Sequence, residues 1–148
     1  MDERWIDALK QALPDEDVVV NAPDGIPTVI VPCERVYAVA QLLRDALGLA
    51  YARDVAAVDW ETHISVSYLV SDVRTGRTAK LVVHAHAPDY GVPSLTPLYP
   101  GFDWGERESY DLLGVHFQGH PNLTRIMMPD EWVGHPLRKN YEPYDPEV

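Results

Sequence analysis

Proline sets the first limit on what this chain can become. Nine of its 13 prolines lie at or beyond Pro88, in the last 61 of 148 residues. Proline lacks an amide hydrogen and locks φ, so a stretch this rich in it cannot run as a continuous helix or a central strand. Regular elements are therefore expected before Pro88, and mostly irregular chain after it. The expectation is one domain, since a chain of this length hides roughly two-thirds of its unfolded surface.

Charge and cysteine content exclude several functions. The formal net charge is −11, from 23 acidic and 12 basic residues. That sign opposes binding to phosphate backbones and to anionic lipid headgroups. Seven of the acids lie within the first 24 residues. A single cysteine, Cys33, leaves no internal disulfide and no cysteine-based zinc or iron–sulfur site. The sequence has no apolar run of transmembrane length, and Met-Asp-Glu-Arg-Trp at its start lacks the apolar core of a secretory signal. A cytoplasmic, soluble chain is the expectation.

Before Pro88 the periodicities alternate between helix and strand. Trp5, Ile6, Leu9, Ala12 and Leu13 recur at helical spacing, with Asp2 as candidate cap and Pro14 as candidate stop. Val18–Val20 and Ile26–Val31 read as short strands around the turn Pro23-Asp24-Gly25. Val36, Val39, Ala40, Leu43 and Leu47 line a second helix that ends near Gly48. Tyr51–Trp60 reads as a strand. In 64–71, apolar residues alternate with Ser65, Ser67 and Ser71, which predicts a strand buried on one face. Thr78–Ala87 is its partner, with His84 and His86 on the polar side. The fold class expected is α+β: a two-layer domain of helices on a mostly antiparallel sheet, with an extended Pro-rich C-terminal arm. Residues 1–100 form the α/β core. Residues 101–148 add a helix and an interface arm, within the same domain.

Three features carry possible chemistry. In a helix over 102–113, Phe102, Glu106, Tyr110 and Leu113 share one narrow sector, which places the Glu106 carboxylate among apolar side chains. Such a group needs a partner, and Arg125, Arg138 and Lys139 are candidates. A structural ion pair is preferred to an acid–base role, because no second titratable residue stands at catalytic spacing. Gly119-His120-Pro121 returns as Gly134-His135-Pro136. Each proline biases the preceding histidine toward extended backbone, which predicts chain held along another surface, with backbone partners supplied by a neighbouring subunit. Finally, His84, His86, His116, His120 and His135 raise a metal site. Their spacing matches no metal motif, and hydrogen bonds to carbonyls are the preferred role. Cys33 lacks catalytic company, and Trp5, Trp60, Trp104 and Trp132 read as anchors in the core or an interface.

Glu106-Arg107-Glu108-Ser109-Tyr110-Asp111-Leu112-Leu113-Gly114-Val115 is followed by Phe117, Gly119-His120-Pro121, Arg125-Ile126 and Gly134-His135-Pro136-Leu137-Arg138-Lys139. This run resembles the signature of the 30-kDa subunit family, the C subunit of proton-pumping NADH-quinone oxidoreductase, respiratory complex I. Looser similarity (Asp59, Tyr68-Leu69-Val70-Ser71, Val92-Pro93-Ser94-Leu95) extends it over roughly residues 50–144. Ser109, Leu113, Thr124 and Asn140 depart from the family's usual residues.

The resemblance implies a structural subunit of the peripheral arm, with no active site of its own and no bound cofactor. The FMN and iron–sulfur clusters of such a complex sit in other subunits. Its neighbours would resemble subunits D, B and I, and it would be held peripherally at the cytoplasmic face of the cell membrane. Interface residues expected on this reading are Glu106, Arg107, Glu108, Asp111, His120, Arg125, His135, Arg138 and Lys139. The first four would form the charged surface of the helix and its junction with the arm. Two alternatives remain open. One is a small histidine-based metal-dependent hydrolase. The other is the equivalent subunit of a related hydrogenase or F420H2 dehydrogenase complex.

Overall fold

The computed structural model describes residues 3–13 and 19–143. The proposed cap Asp2 and stop Pro14 lie outside them, as does Val18. The elements run α1 (Glu3–Ala12), β1 (Val19–Asn21), β2 (Thr28–Val31), α2 (Cys33–Asp45), β3 (Tyr51–Asp59), β4 (Ile64–Ser71) and β5 (Thr78–Ala85). They continue with β6 (Gly91–Pro93), a 3-10 turn (Pro100–Phe102), α3 (Asp103–Leu113) and β7 (His116–Gln118).

Five strands form one sheet in the order β1-β2-β5-β4-β3. Three of its pairings are antiparallel, while β2 and β5 run parallel, with Val29 opposite Leu81 and Val31 opposite Val83. Periodicity reveals the strands but not this pairing, because β2 and β5 are separated in sequence by α2, β3 and β4. A second, two-stranded parallel ladder joins β6 to β7. The architecture is α+β with a mostly antiparallel sheet, as expected.

Side-chain alternation then builds the core. Val29 and Val31 of β2, Leu81, Val83 and Ala85 of β5, and Val66, Tyr68 and Val70 of β4 meet Trp5 and Leu9 of α1 and Val36, Val39 and Leu43 of α2 in one apolar cluster. Leu95, Leu98, Tyr99 and Phe102 extend that cluster toward α3. Val82, of opposite parity, is buried but stands apart from it.

One strand differs from its expected pattern. Ser65 and Ser71 of β4 are buried rather than exposed. The reason is position: β4 lies between β5 and β3, and neighbours cover both serines. Ser65 accepts a hydrogen bond from Trp60 Nε1 at 2.9 Å, and Ser71 Oγ is 2.8 Å from Thr78 Oγ1.

Cys33 opens α2, and its thiol donates to the carbonyl of His84 at 3.2 Å. Burial pushes this thiol up, and the charges of Glu34 and Asp89 add to the effect. The helix start does not activate it. The segment before α3 is pinned by Tyr99, whose hydroxyl donates to Leu49 O at 2.8 Å inside the core. Replacing Tyr99 with Phe strands that carbonyl. Tyr99→Phe is expected to cost about 1–2 kcal/mol in urea unfolding, with an unchanged denaturant slope.

Candidate partner interface

The arm begins where α3 ends, and the helix end explains its path. The last carbonyls of a helix have no partner within it, and they carry partial negative charge. Gly114 closes α3 in the left-handed conformation (φ 79°), its N–H donating to Tyr110 O at 2.8 Å. A methyl group at Gly114 would come within 2.8 Å of the His135 ring, so the ring packs directly on this turn. The exposed carbonyls are then taken by the arm. Asp111 O accepts from Arg125 Nη1 (3.2 Å) and His135 Nδ1 (2.9 Å). Leu112 O accepts from the Leu137 N–H at 2.9 Å, and Leu113 O from Arg138 Nη1 at 3.5 Å.

The Asp111 side chain completes this junction from within. Its carboxylate is fully buried and salt-bridged to Arg125 at 2.7 Å. The second oxygen accepts three successive backbone N–H groups, Ile126 (3.1 Å), Met127 (2.6 Å) and Met128 (2.8 Å). Arg125 reaches onward to Trp132 O (2.8 Å) and Gly134 O (2.9 Å). Burial pushes the Asp111 carboxyl up, but the three N–H donors and Arg125 outweigh it and hold it below its ordinary value.

A second anchor ties the arm to the sheet. Asp59, at the end of β3 and 6% exposed, accepts from Arg138 Nε (3.0 Å) and the Lys139 N–H (2.9 Å). Its other oxygen accepts from the Glu61 N–H at 2.8 Å. The Arg138 guanidinium lies 4.3 Å from the Tyr90 ring centroid, a cation–π arrangement. Burial raises the Asp59 carboxyl, and these donors override it to a net lowering. Arg138 is thus paired without Asn140.

The repeated Gly-His-Pro segments clip opposite ends of α3. Both glycines have positive φ, 82° at Gly119 and 92° at Gly134. His120 Nδ1 accepts from the Asn122 N–H at 3.0 Å, so Nε2 carries the proton and donates toward Asp103 O at 3.3 Å. That nitrogen also sits 2.9 Å from Asp103 Oδ1. His135 clips the other end through Asp111 O. Both histidines thus bond carbonyls, as their flanking prolines suggested. The surface their rings lie along within the chain is its own helix α3. Arg107 braces the same run, donating to Thr124 O, Thr124 Oγ1 and Arg125 O at 3.1–3.2 Å. The departure at Thr124 thereby supplies one of its acceptors.

Glu106 is where the expectation departs most from the structure. It is fully buried, as the helical wheel implied, yet none of Arg125, Arg138 and Lys139 reaches it. Four neutral donors do: Ser94 Oγ (2.5 Å) and Thr96 Oγ1 (2.8 Å) to one oxygen, Tyr68 OH (2.8 Å) and the Leu95 N–H (3.0 Å) to the other. Four donors match the acceptor capacity of an ionised carboxylate. Arg125 and Arg138 are instead held by α3's C-terminal carbonyls and by Asp111 and Asp59, while Lys139 is exposed. Glu106 and Asp111 therefore act inside the chain, not on the charged surface expected of them. Glu108 and Lys139 are exposed, and Arg107, His120, Arg125, His135 and Arg138 are half-buried.

His63 was missed from the sequence because it lies just outside β4. The register brings it beside the histidines of β5, with ring centroids 4.3 Å from His84 and 5.8 Å from His86. Burial pushes His84 down, and both neighbouring histidines add to it. Among the described residues, no group of three or more His, Cys, Asp or Glu is arranged to hold a metal ion.

Two outcomes follow from these carboxylates. Glu106→Gln puts an amide NH2 against at least one fixed donor, and a loss of about 2 kcal/mol is expected in chemical denaturation. The lowered values at Asp111 and Asp59 mean that the unfolded chain binds these protons more readily than the folded one. Their stabilisation is then complete above the unfolded value, about pH 4, and is lost as pH falls through the lower folded values. Titrated by NMR, the amide protons of Ile126–Met128 should hold their shifts down to about pH 4 and change together below it.

Comparison with known proteins bears on the same residues. The family model described as respiratory-chain NADH dehydrogenase, 30 Kd subunit, matches residues 29–147. The C subunit of NADH-quinone oxidoreductase from Salinispora tropica is 40% identical over 146 residues, covering 91% of this chain and 59% of that protein. The chain thus spans under two-thirds of that relative. The C subunit of the same enzyme from Moorella thermoacetica is 35% identical, covering 94% of both chains. The trypsin-resistant fragment (1-134) of Nqo5 superposes with a TM-score of 0.69 at 25% identity, over 81% of this chain and 99% of that one. A chain of the membrane-bound sulfane sulfur reductase, an archaeal respiratory membrane complex, shares the fold, with a TM-score of 0.74 at 19% identity over 95% of this chain and 85% of that one. With its signature helix and arm inside the matched region, this chain belongs to the family of the respiratory-chain NADH dehydrogenase 30 Kd subunit.

Proposed function

We propose that the chain is a structural subunit, with no redox centre of its own, in the peripheral arm of a proton-translocating NADH–quinone oxidoreductase. The observation that carries this reading is the inverted polarity of the C-terminal arm. Arg125 and Arg138 turn inward onto α3 and β3, while Met127, Trp132, Val133 and Leu137 stand 64%, 41%, 88% and 59% exposed. Exposed apolar side chains gathered on one arm, with Trp132 and Val133 lining a single cleft, suit a protein–protein contact. The relatives, C subunits of NADH-quinone oxidoreductases, indicate which assembly the contact serves.

In that assembly the chain holds neighbours resembling subunits D, B and I at fixed separation, and electrons pass through the FMN and iron–sulfur clusters of other subunits. Glu108 and Lys139, exposed on α3 and the arm, are the expected interface residues best placed to touch a neighbour directly. Arg107, His120, Arg125, His135 and Arg138 shape the surface from beneath, through the bonds already described. No described helix is long and apolar enough to cross a membrane. On this reading, attachment to the cytoplasmic face runs through the neighbours. The metal-dependent hydrolase is not favoured, since the relatives are C subunits of NADH-quinone oxidoreductases.

The test is affinity recovery of the tagged chain from membranes of a producing strain. FMN, iron–sulfur absorbance and NADH-dependent quinone reduction should co-purify with it. Arg125→Ala, which frees the arm and strands Asp111, should lower the recovered complex about a hundredfold or more, because breaking a buried pair costs about 3–5 kcal/mol. A wild-type chain that elutes alone sinks the proposal. Partners carrying nickel or a deazaflavin in place of FMN transfer it to a related hydrogenase or F420H2 dehydrogenase complex.

A further inference from the structure

The arm contains a cleft of about 560 Å3, lined by Glu131, Trp132, Val133, Tyr141, Glu142 and Pro143. Its walls are fixed. The Trp132 and Gly134 carbonyls are held by Arg125, which is itself paired with Asp111. At Gly134 a methyl group would meet the Tyr141 ring at 3.0 Å, so glycine is what lets that ring close the opposite wall. Tyr141 in turn donates its N–H to Arg138 O at 3.1 Å, beside the pair with Asp59. One wall is thus referenced to α3 and the other to β3. The interior is aromatic and aliphatic, with Val133 almost fully exposed at 88%. At the edge stand two exposed carboxylates, Glu131 and Glu142, and among the described residues neither enters an ion pair.

We propose that this cleft seats an apolar or aromatic side chain of a neighbouring subunit, on a segment that carries Lys or Arg beside that anchor. The inference rests on the reading of the chain as an assembly subunit, and it specifies the partner's chemistry. Charge complementarity selects the occupant. An apolar anchor fills the interior, and a flanking cation answers the two carboxylates where water is partly excluded. A second copy of this chain brings its own net charge of −11 and the same acidic edge. Residues 144–148, Tyr-Asp-Pro-Glu-Val, offer apolar side chains but add two carboxylates and no cation.

The test uses the full chain inside the intact complex, with benzoylphenylalanine in place of Val133 as a photo-cross-linker. Irradiation and peptide mapping should place the cross-link on another subunit, next to a lysine or arginine. A cross-link to residues 144–148, to a second copy or to a segment without a basic residue overturns the proposal, as does the absence of any cross-link. The double variant Glu131→Lys/Glu142→Lys should lower recovered complex about tenfold while leaving the circular dichroism of the isolated chain unchanged. If this variant assembles normally and Arg125→Ala does not, the assignment of the cleft fails and the assembly reading stands. If both assemble normally, the assignment of the cleft fails again; the assembly reading fails only if the wild-type chain recovers no partners.

Discussion

The arrangement of this molecule depends on how one helix end is neutralised. The C-terminal turn of α3 presents the carbonyls of Asp111, Leu112 and Leu113, and the chain returns two arginines, a histidine and a backbone N–H to meet them. The aspartate at that turn adds a full negative charge at the pole where a helix already carries a partial one. A carboxylate in that position is unfavourable unless cations and N–H donors surround it. Arg125 and the 126–128 amides provide that surround, so the otherwise irregular arm has one defined course.

Competition for cations also explains the two environments of buried carboxylate. Asp111 and Asp59 each hold an arginine, while Glu106, within the same helix as Asp111, is served by hydroxyls and one amide. Glu106 joins β4, the 94–96 segment and α3, three pieces that share no apolar periodicity. Its four bonds position α3 against the core, and α3 in turn positions the arm. Polar contacts therefore orient an element whose burial is otherwise generic.

Much of this was legible in the sequence, and the remainder was not for identifiable reasons. The helices around Trp5 and Val36, the strand 64–71 and the stop at Gly114 follow from period and from glycine's freedom, which are local properties. The burial of Glu106 was also local, since a helical wheel needs only spacing. Its partners were not, because Tyr68 and Ser94 approach it only through tertiary packing. The burial of Ser65 and Ser71 depends on strand order, which alternation does not encode. The repeated Gly-His-Pro segments announced a constrained path but could not name its surface. Within the chain that surface is α3, whose Asp103 and Asp111 carbonyls meet the two histidine rings.

The internal tethering of the arm has a thermodynamic consequence for association. A segment that orders only on contact loses its chain entropy at that moment and shows a large heat-capacity change from coupled folding. Here Asp111, Arg125, Asp59 and Arg138 have already restricted the backbone, so that entropy is lost when the subunit itself folds. On the reading of the chain as an assembly subunit, docking then carries a smaller heat-capacity change, set by the apolar area the two surfaces bury and not by folding of the arm. A subunit built this way would offer its neighbours a surface whose dimensions are fixed in advance.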